Sequence, residues 1–135
     1  MRLGNLIIYV EDEHTMAEEQ KYVYSLKDIP YIQLADKAKT RFVLGKDILV
    51  SFVEQEPGAE FPVHSHDCEQ ILIILEGSEE HIVGDQTILM KAGDVCVHPA
   101  NVPHGGRTPT GFKGVDIFSP PRESHVELMR KHGQI

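Results

Sequence analysis

Beyond about residue 30 no helical period persists for long: the chain runs in short apolar or alternating stretches, each closed by a turn signal. Strands are predicted at 39–44, 48–54, 69–76, 79–83, 86–90, 94–98 and 112–118. Their punctuation is specific. Pro57-Gly58 suits a type II turn, Gly84-Asp85 a two-residue hairpin, and Ala92-Gly93-Asp94 a turn into the next strand. Many short strands at such spacing predict an all-β sandwich or barrel. With 135 residues, 41% hydrophobic and 25% charged, the chain suits one compact domain that buries roughly two-thirds of its unfolded surface. A structural metal is then unnecessary, and any metal bound is expected to serve function.

Residues 1–30 differ in character and are set apart from a single domain over 31–135. Residues 6–10 read as an extra strand with little nearby to pair with, one that would add to a sheet edge or to that of a second subunit. Thr15 followed by Glu18 resembles a capping box, which predicts a short helix through about Tyr22. At the other end Pro120-Pro121 breaks the last strand, and 122–131 predicts a closing helix with Val126 and Met129 on one face. Arg130, Lys131 and His132 fall in its last turn, where positive charge suits the helix dipole, and Gly133 ends it.

Charge and hydropathy exclude some partners. Thirteen Lys and Arg against 21 Asp and Glu give a net charge of -8, the wrong sign for a phosphate backbone, so nucleic acid is not an expected ligand. The longest apolar runs, 6–10 and 71–75, are five residues each, where a membrane span needs about 20. The first ten residues have too short an apolar core for a secretory signal, and Glu11, Asp12 and Glu13 stand where a cleavage site would lie. A cytoplasmic location is expected, with Cys68 and Cys96 as free, buried thiols.

The chemistry gathers in two glycine-framed segments. The first runs Gly58, five residues, His64-x-His66, three residues, Gln70, six residues, Gly77; the second runs Gly93, five residues, Pro99-x-Asn101, two residues, His104. On extended backbone without a bulge, His64, His66 and Gln70 project from one face. A neighbouring strand then supplies His104 as a third imidazole. Three neutral imidazoles suit Zn, Fe, Ni, Mn or Cu and leave positions open for water or substrate. Cys68 shares the strand parity of these ligands, but a soft thiolate between His66 and Gln70 would crowd the sphere. His14, His125 and His132 are read as structural. So are His81 and His98, although His98 precedes Pro99 in the loop that leads into the site.

At these residues the sequence resembles the cupin superfamily, whose paired motifs read Gly, five residues, His-x-His, three or four residues, Glu, six residues, Gly, and later Gly, five residues, Pro-x-Gly, two residues, His. The resemblance covers about 42–118 and implies a jelly-roll β-barrel with a single divalent metal inside, held by His64, His66, Gln70 and His104. Gln70 replaces the family's Glu, Asn101 its second-motif Gly, and Thr108 a later Asn. Asn tolerates the left-handed backbone a Gly would otherwise supply. A carboxamide in place of a carboxylate leaves the metal its full charge, which favours polarising an oxygen over redox chemistry and binds the ion less tightly.

A closer resemblance is to the KdgF cupins of pectin and alginate breakdown. It rests on His64-Ser65-His66, Glu69-Gln70, Asn101-Val102-Pro103-His104-Gly105 and Asp116-Ile117-Phe118-Ser119-Pro120-Pro121-Arg122-Glu123. That family opens the ring of 4,5-unsaturated uronates to linear 4-deoxy-hexosulose uronate. The resemblance implies a Ni, Mn, Zn or Fe ion, an acidic sugar substrate, a homodimer, and functional roles for Asp116, Phe118 and Arg122. Asp116 and Phe118 share parity on the last strand, and Arg122 follows the Pro-Pro break, where its planar fork suits a carboxylate. Asp116 is expected to move the proton, Phe118 to pack on the sugar ring, and Arg122 to hold the substrate's carboxylate. The structural alternatives are a strand-end hydrogen bond for Asp116, core packing for Phe118 and a helix-start ion pair with a Glu for Arg122. Arg41 and Arg107 are further candidates for anion contact, with surface placement preferred. Competing functions are a non-catalytic metal- and sugar-acid-binding module and another cupin enzyme, a lyase or dioxygenase.

Overall fold

In the computed structural model the described residues are 5–6, 9–10, 15–16 and 20–135, with side chains described from residue 21. Contacts divide the chain into Met1–Pro30 and Tyr31–Ile135. The first unit holds strands β1 (Asn5–Leu6), β2 (Tyr9–Val10), β3 (Thr15–Met16) and β4 (Gln20–Lys21). β1 pairs with β4 and β2 with β3, both antiparallel. The helix expected from Thr15 to Tyr22 is therefore not formed where it is described; residues 17–19 lie outside the described residues. One turn of helix gains little by itself, and the β-favouring Tyr9, Val10 and Thr15 pair instead. Of the strand expected over residues 6–10, Leu6 lies in β1 and Tyr9–Val10 form β2, residues 7–8 lying outside the described residues; Leu6 pairs with Gln20 within its own unit. A short 3-10 turn, Leu26–Asp28, ends this unit.

The second unit joins nine strands in one curled sheet: β5 (Ile32–Ala35), β6 (Ala38–Leu44), β7 (Leu49–Gln55), β8 (Ala59–His64), β9 (Glu69–Val83), β10 (Gln86–Lys91), β11 (Val95–His98), β12 (His104–Thr108) and β13 (Phe112–Ser119). The path runs β5-β6-β7-β13-β9-β12-β8, with β10 and β11 also on β9. This is the jelly-roll barrel. Burial alternates along the paired strands β6 and β7, so Ala38, Thr40 and Phe42 lie beside Leu49, Ser51 and Val53 on the same inner face. Phe42, Leu49, Ile32, Cys68, Phe118 and Met129 form one buried cluster; Val53, Leu72, Ile74, Met90 and Phe112 form another. Each such side chain contributes about 1.5–3 kcal/mol by leaving water.

The turns follow the expected chemistry. Ala59 N donates to Glu56 O with Gly58 at φ 92, and Gly84, at φ 59, begins the two-residue link from β9 to β10. Helix α1 (Glu123–Lys131) buries Val126 and Met129. It ends on Gly133 at φ 68, where Gly133 N and Gln134 N reach the carbonyls of Arg130 and Met129. No helix among the described residues is long and apolar enough to cross a membrane.

Three strands lacked a pattern in the sequence, and two expected strands are one. β8 carries Pro62, tolerated because β8 is the last strand on the path, where one side needs no ladder partner. β12 reads His-Gly-Gly-Arg-Thr, poor in β-formers, but a Cβ at Gly105 would stand 2.8 Å from Phe61 O and one at Gly106 2.8 Å from Glu79 Cδ. The close approach of neighbours demands those glycines. The third is the short β5. The expected strands 69–76 and 79–83 join as β9, which turns at Gly77 (φ 80), two residues after the pairing with β13 slips at Leu75. Residues Ile71, Leu72 and Ile73 lie between β11 and β13, whereas Glu80–Val83 lie between β10 and β12.

Candidate metal centre

His64 is the last residue of β8, His66 lies in the loop that follows, and Gln70 is the second residue of β9. The single extended run expected for all three is therefore not present. The ligands converge because two strands and the loop between them close on one another. His104 opens β12 directly opposite His64, and Asn101, at φ 66, donates its N–H to His66 O at 2.8 Å, tying the two motif loops together. The rings of His64 and His104 stand 4.5 Å apart, and those of His66 and His104 4.7 Å.

The hydrogen bonds around these rings orient them. Nδ1 of each donates to a backbone carbonyl two residues away: His64 to Pro62 at 2.8 Å, His66 to Cys68 at 2.9 Å, His104 to Val102 at 2.9 Å. All three Nε2 atoms then carry lone pairs. Those of His64 and His104 are buried without a partner. His66 Nε2 faces Gln70 Oε1 at 3.0 Å, while Gln70 Nε2 donates to Asp116 Oδ1 at 2.6 Å. That second bond fixes the amide, so His66 and Gln70 present acceptor to acceptor. Four lone-pair donors aimed inward fit a divalent cation. Burial lowers the His64 pKa, and together with the neighbouring rings it takes His104 down to about 4, so these two rings are held neutral, as a metal needs. Cys68 Sγ lies 3.3 Å from His66 Nδ1, the ring's far side from Nε2, and is not part of this group.

Asp116, Phe118 and Arg122 gather beside the histidines around a cavity of about 400 Å³. Burial pushes the Asp116 pKa up to about 7, against the lowering effect of the Gln70 hydrogen bond. Phe118 is 1% exposed, part of the core cluster, and meets His66 edge-on at 5.8 Å. Arg122 stands before α1 with Nε donating to Ser124 Oγ at 3.1 Å and its guanidinium 5.7 Å from the Phe118 ring centroid. Among the described residues no Glu pairs with it, and burial lowers its pKa. Arg107 is bound to Glu80 on the surface, and Arg41 stacks on Tyr31. Of the histidines read as structural, His132 bonds Leu128 O, and His14 lies outside the described residues. His125 reaches the cavity wall, as do His81 and His98, together with Glu79. The repeated two-residue spacings, Glu79 to His81 and Cys96 to His98, were the available signal. Of the two free cysteines, Cys68 is buried and Cys96 only partly so, a correction to the expectation for Cys96.

Comparison with known proteins agrees with the geometry. A family described as "Cupin domain" matches residues 51–118, half of the chain. The chain belongs to the cupin family. Among solved structures this cupin is similar to an RmlC-like cupin from Shewanella frigidimarina, at 25% identity and TM-score 0.75, covering 78% of this chain and 96% of that one. It is similar to KdgF from Halomonas sp. at 20% identity and TM-score 0.73, covering 78% and 99%. A third, a predicted oxalate decarboxylase from Thermotoga maritima, shares 18% identity at TM-score 0.67, covering 73% and 99%. Among proteins of curated function, none matches this sequence.

Proposed function

We propose that this cupin opens the ring of 4,5-unsaturated uronates to linear 4-deoxy-hexosulose uronate, using one divalent transition metal held by His64, His66, Gln70 and His104. The observation that carries the reading is the Gln70 amide, whose oxygen joins the histidine donors while its nitrogen holds Asp116 at 2.6 Å. A proton-transfer group is thereby fixed beside an uncharged ligand set. When bound, the ion supplies Lewis acidity towards a substrate oxygen.

The remaining steps belong to the chain's own residues. Arg122, half-buried at the cavity, takes the substrate carboxylate and supplies the local positive charge that a net acidic protein otherwise lacks. Asp116 accepts the proton of the anomeric hydroxyl as the bond from that carbon to the ring oxygen breaks. It then returns that proton to C4 as the resulting enolate becomes the C5 ketone, so no atom is gained or lost. Phe118 is too enclosed to cover much of a sugar; it walls the cavity and holds His66 and Arg122 in place. The reading includes a cytoplasmic homodimer. Leu75, Val95 and Val97, all more than half exposed, support a partner on the sheet's outer face, and mass in solution tests it.

The experiment is to load the protein with Ni, Mn, Zn or Fe and follow loss of the enol-ether ultraviolet band of 4,5-unsaturated galacturonate. Acceleration over the spontaneous reaction is expected, and Asp116→Asn should cut it by about 10²–10⁴-fold with metal content unchanged. No acceleration with any of the four metals ends the assignment. Binding of the uronate without turnover in either form makes the protein a sugar-acid-binding module.

A further inference from the structure

The cavity wall behind His104 is built from imidazole and carboxylate groups that ring opening does not use. The His98 ring lies flat against His104, 4.1 Å between centroids and 8° between planes. Its Nε2 faces His81 Nε2 at 2.5 Å, and His81 Nδ1 donates to Glu79 Oε1 at 2.6 Å. Glu79, His81 and His98 are 4%, 4% and 0% exposed, so this row of groups is buried in the cavity wall. Cys96 stands two residues before His98 on β11, on the same face, and Glu79 and His81 share a face of β9. The turn of β9 at Gly77 brings these two faces together. One ligand atom each from His81, Cys96 and His98 lies within 4.8 Å of the other two.

With its Nδ1–H committed to Glu79, His81 presents a lone pair at Nε2. His98 Nε2 stands against it, and His98 Nδ1 is buried with no partner. Two bare lone pairs at that distance repel, so a proton or a metal ion stands between them. Three features favour the metal. A carboxylate behind the ring is the usual outer partner of a metal-bound histidine. Two imidazoles and a thiolate are a zinc donor set that leaves one position open. A tetrahedral zinc holds its nitrogen ligands about 3.3 Å apart, which asks the two rings to separate by less than about 1 Å.

We propose that His81, His98 and Cys96 form a second metal site, supported by Glu79, that takes a thiophilic divalent ion such as Zn(II). Its donor set is softer than the three imidazoles and one amide of the first centre, so the two select different ions. Binding releases the Cys96 thiol proton to solvent as the sulfur–metal bond forms.

The test is an anaerobic titration of the chelator-stripped full chain with Co(II), which replaces Zn(II) and gives a near-ultraviolet charge-transfer band only where a thiolate binds it. Two equivalents of Co(II) per chain are expected by elemental analysis, one of them carrying the band. The band should vanish in Cys96→Ser and in His81→Gln and persist in Cys68→Ser. Glu79→Gln should weaken the band-forming equivalent by about 10- to 100-fold and leave the other in place. A single equivalent without the band in the wild-type protein overturns the proposal and leaves a shared proton between His81 and His98. A band lost in Cys68→Ser but kept in Cys96→Ser overturns it too. Neither readout depends on turnover.

Discussion

Gln70 has two ends, and Asp116 decides which of them faces the histidines. Because the carboxylate accepts the amide N–H, the carbonyl oxygen is left to join three imidazole nitrogens already oriented by their backbone bonds. Asn101 performs a comparable local service at φ 66. Asn101→Ala should cost about 1–2 kcal/mol in urea unfolding, and Asn101→Gly much less; equal losses would show that the side chain, not the backbone, matters. His125 is packed between Phe42 and Phe118, with ring centroids 5.0 and 5.1 Å away. Burial, helped by Arg122, takes its pKa from 6.5 down to about 3. The unfolded chain therefore binds a proton that the folded one refuses, and stability falls as pH drops from about 6.5 towards 3. His125→Phe should shift acid unfolding, followed by circular dichroism, to lower pH. An unmoved midpoint would place the acid sensitivity elsewhere. The candidate ligands were legible in the sequence because glycine-framed spacing marks them, but the way they converge was not. His66 lies in a loop, and convergence comes from two strands closing on it.

Among the elements, β9 does most to shape the site. Its first half carries Gln70 between β11 and β13, its second half carries Glu79 and His81, and Gly77 makes one strand serve both parts of the barrel. A Cβ at Gly77 would lie 2.1 Å from Gly111 O, whereas one at Gly93, φ 93, meets nothing within 4 Å. Gly77→Ala should therefore destabilise by more than about 2 kcal/mol and weaken metal binding, while Gly93→Ala should cost only about 1 kcal/mol. Similar midpoints for the two in guanidinium would contradict the crowding at Gly77. The alternating strands β6, β7 and β13 could be read from their residues because each has one face inside. β8 and β12 could not, since Pro62 and the Gly105-Gly106 pair make sense only beside the particular strands they touch.

For the whole molecule, an ion bound to the folded state alone stabilises that state by RT ln(1 + c/Kd), where c is the free ion concentration. Loading the His64, His66, Gln70 and His104 centre to 100 times its Kd should add about 2.7 kcal/mol to unfolding, visible as a higher Tm that chelator reverses. With the thiolate site removed by Cys96→Ser, the same addition should do little once His64→Ala is introduced as well; an equal rise there would mean the ion binds at neither centre. The amino-acid sequence by itself determined the all-β class, the turn chemistry, the closing helix and the histidines of one candidate metal cluster, because these depend on local conformational preference and on spacing within short segments. Only the tertiary structure decided that Glu79, His81, Cys96 and His98 meet. Their contacts join the far half of a bent strand to a different strand, and no local period records where a barrel closes.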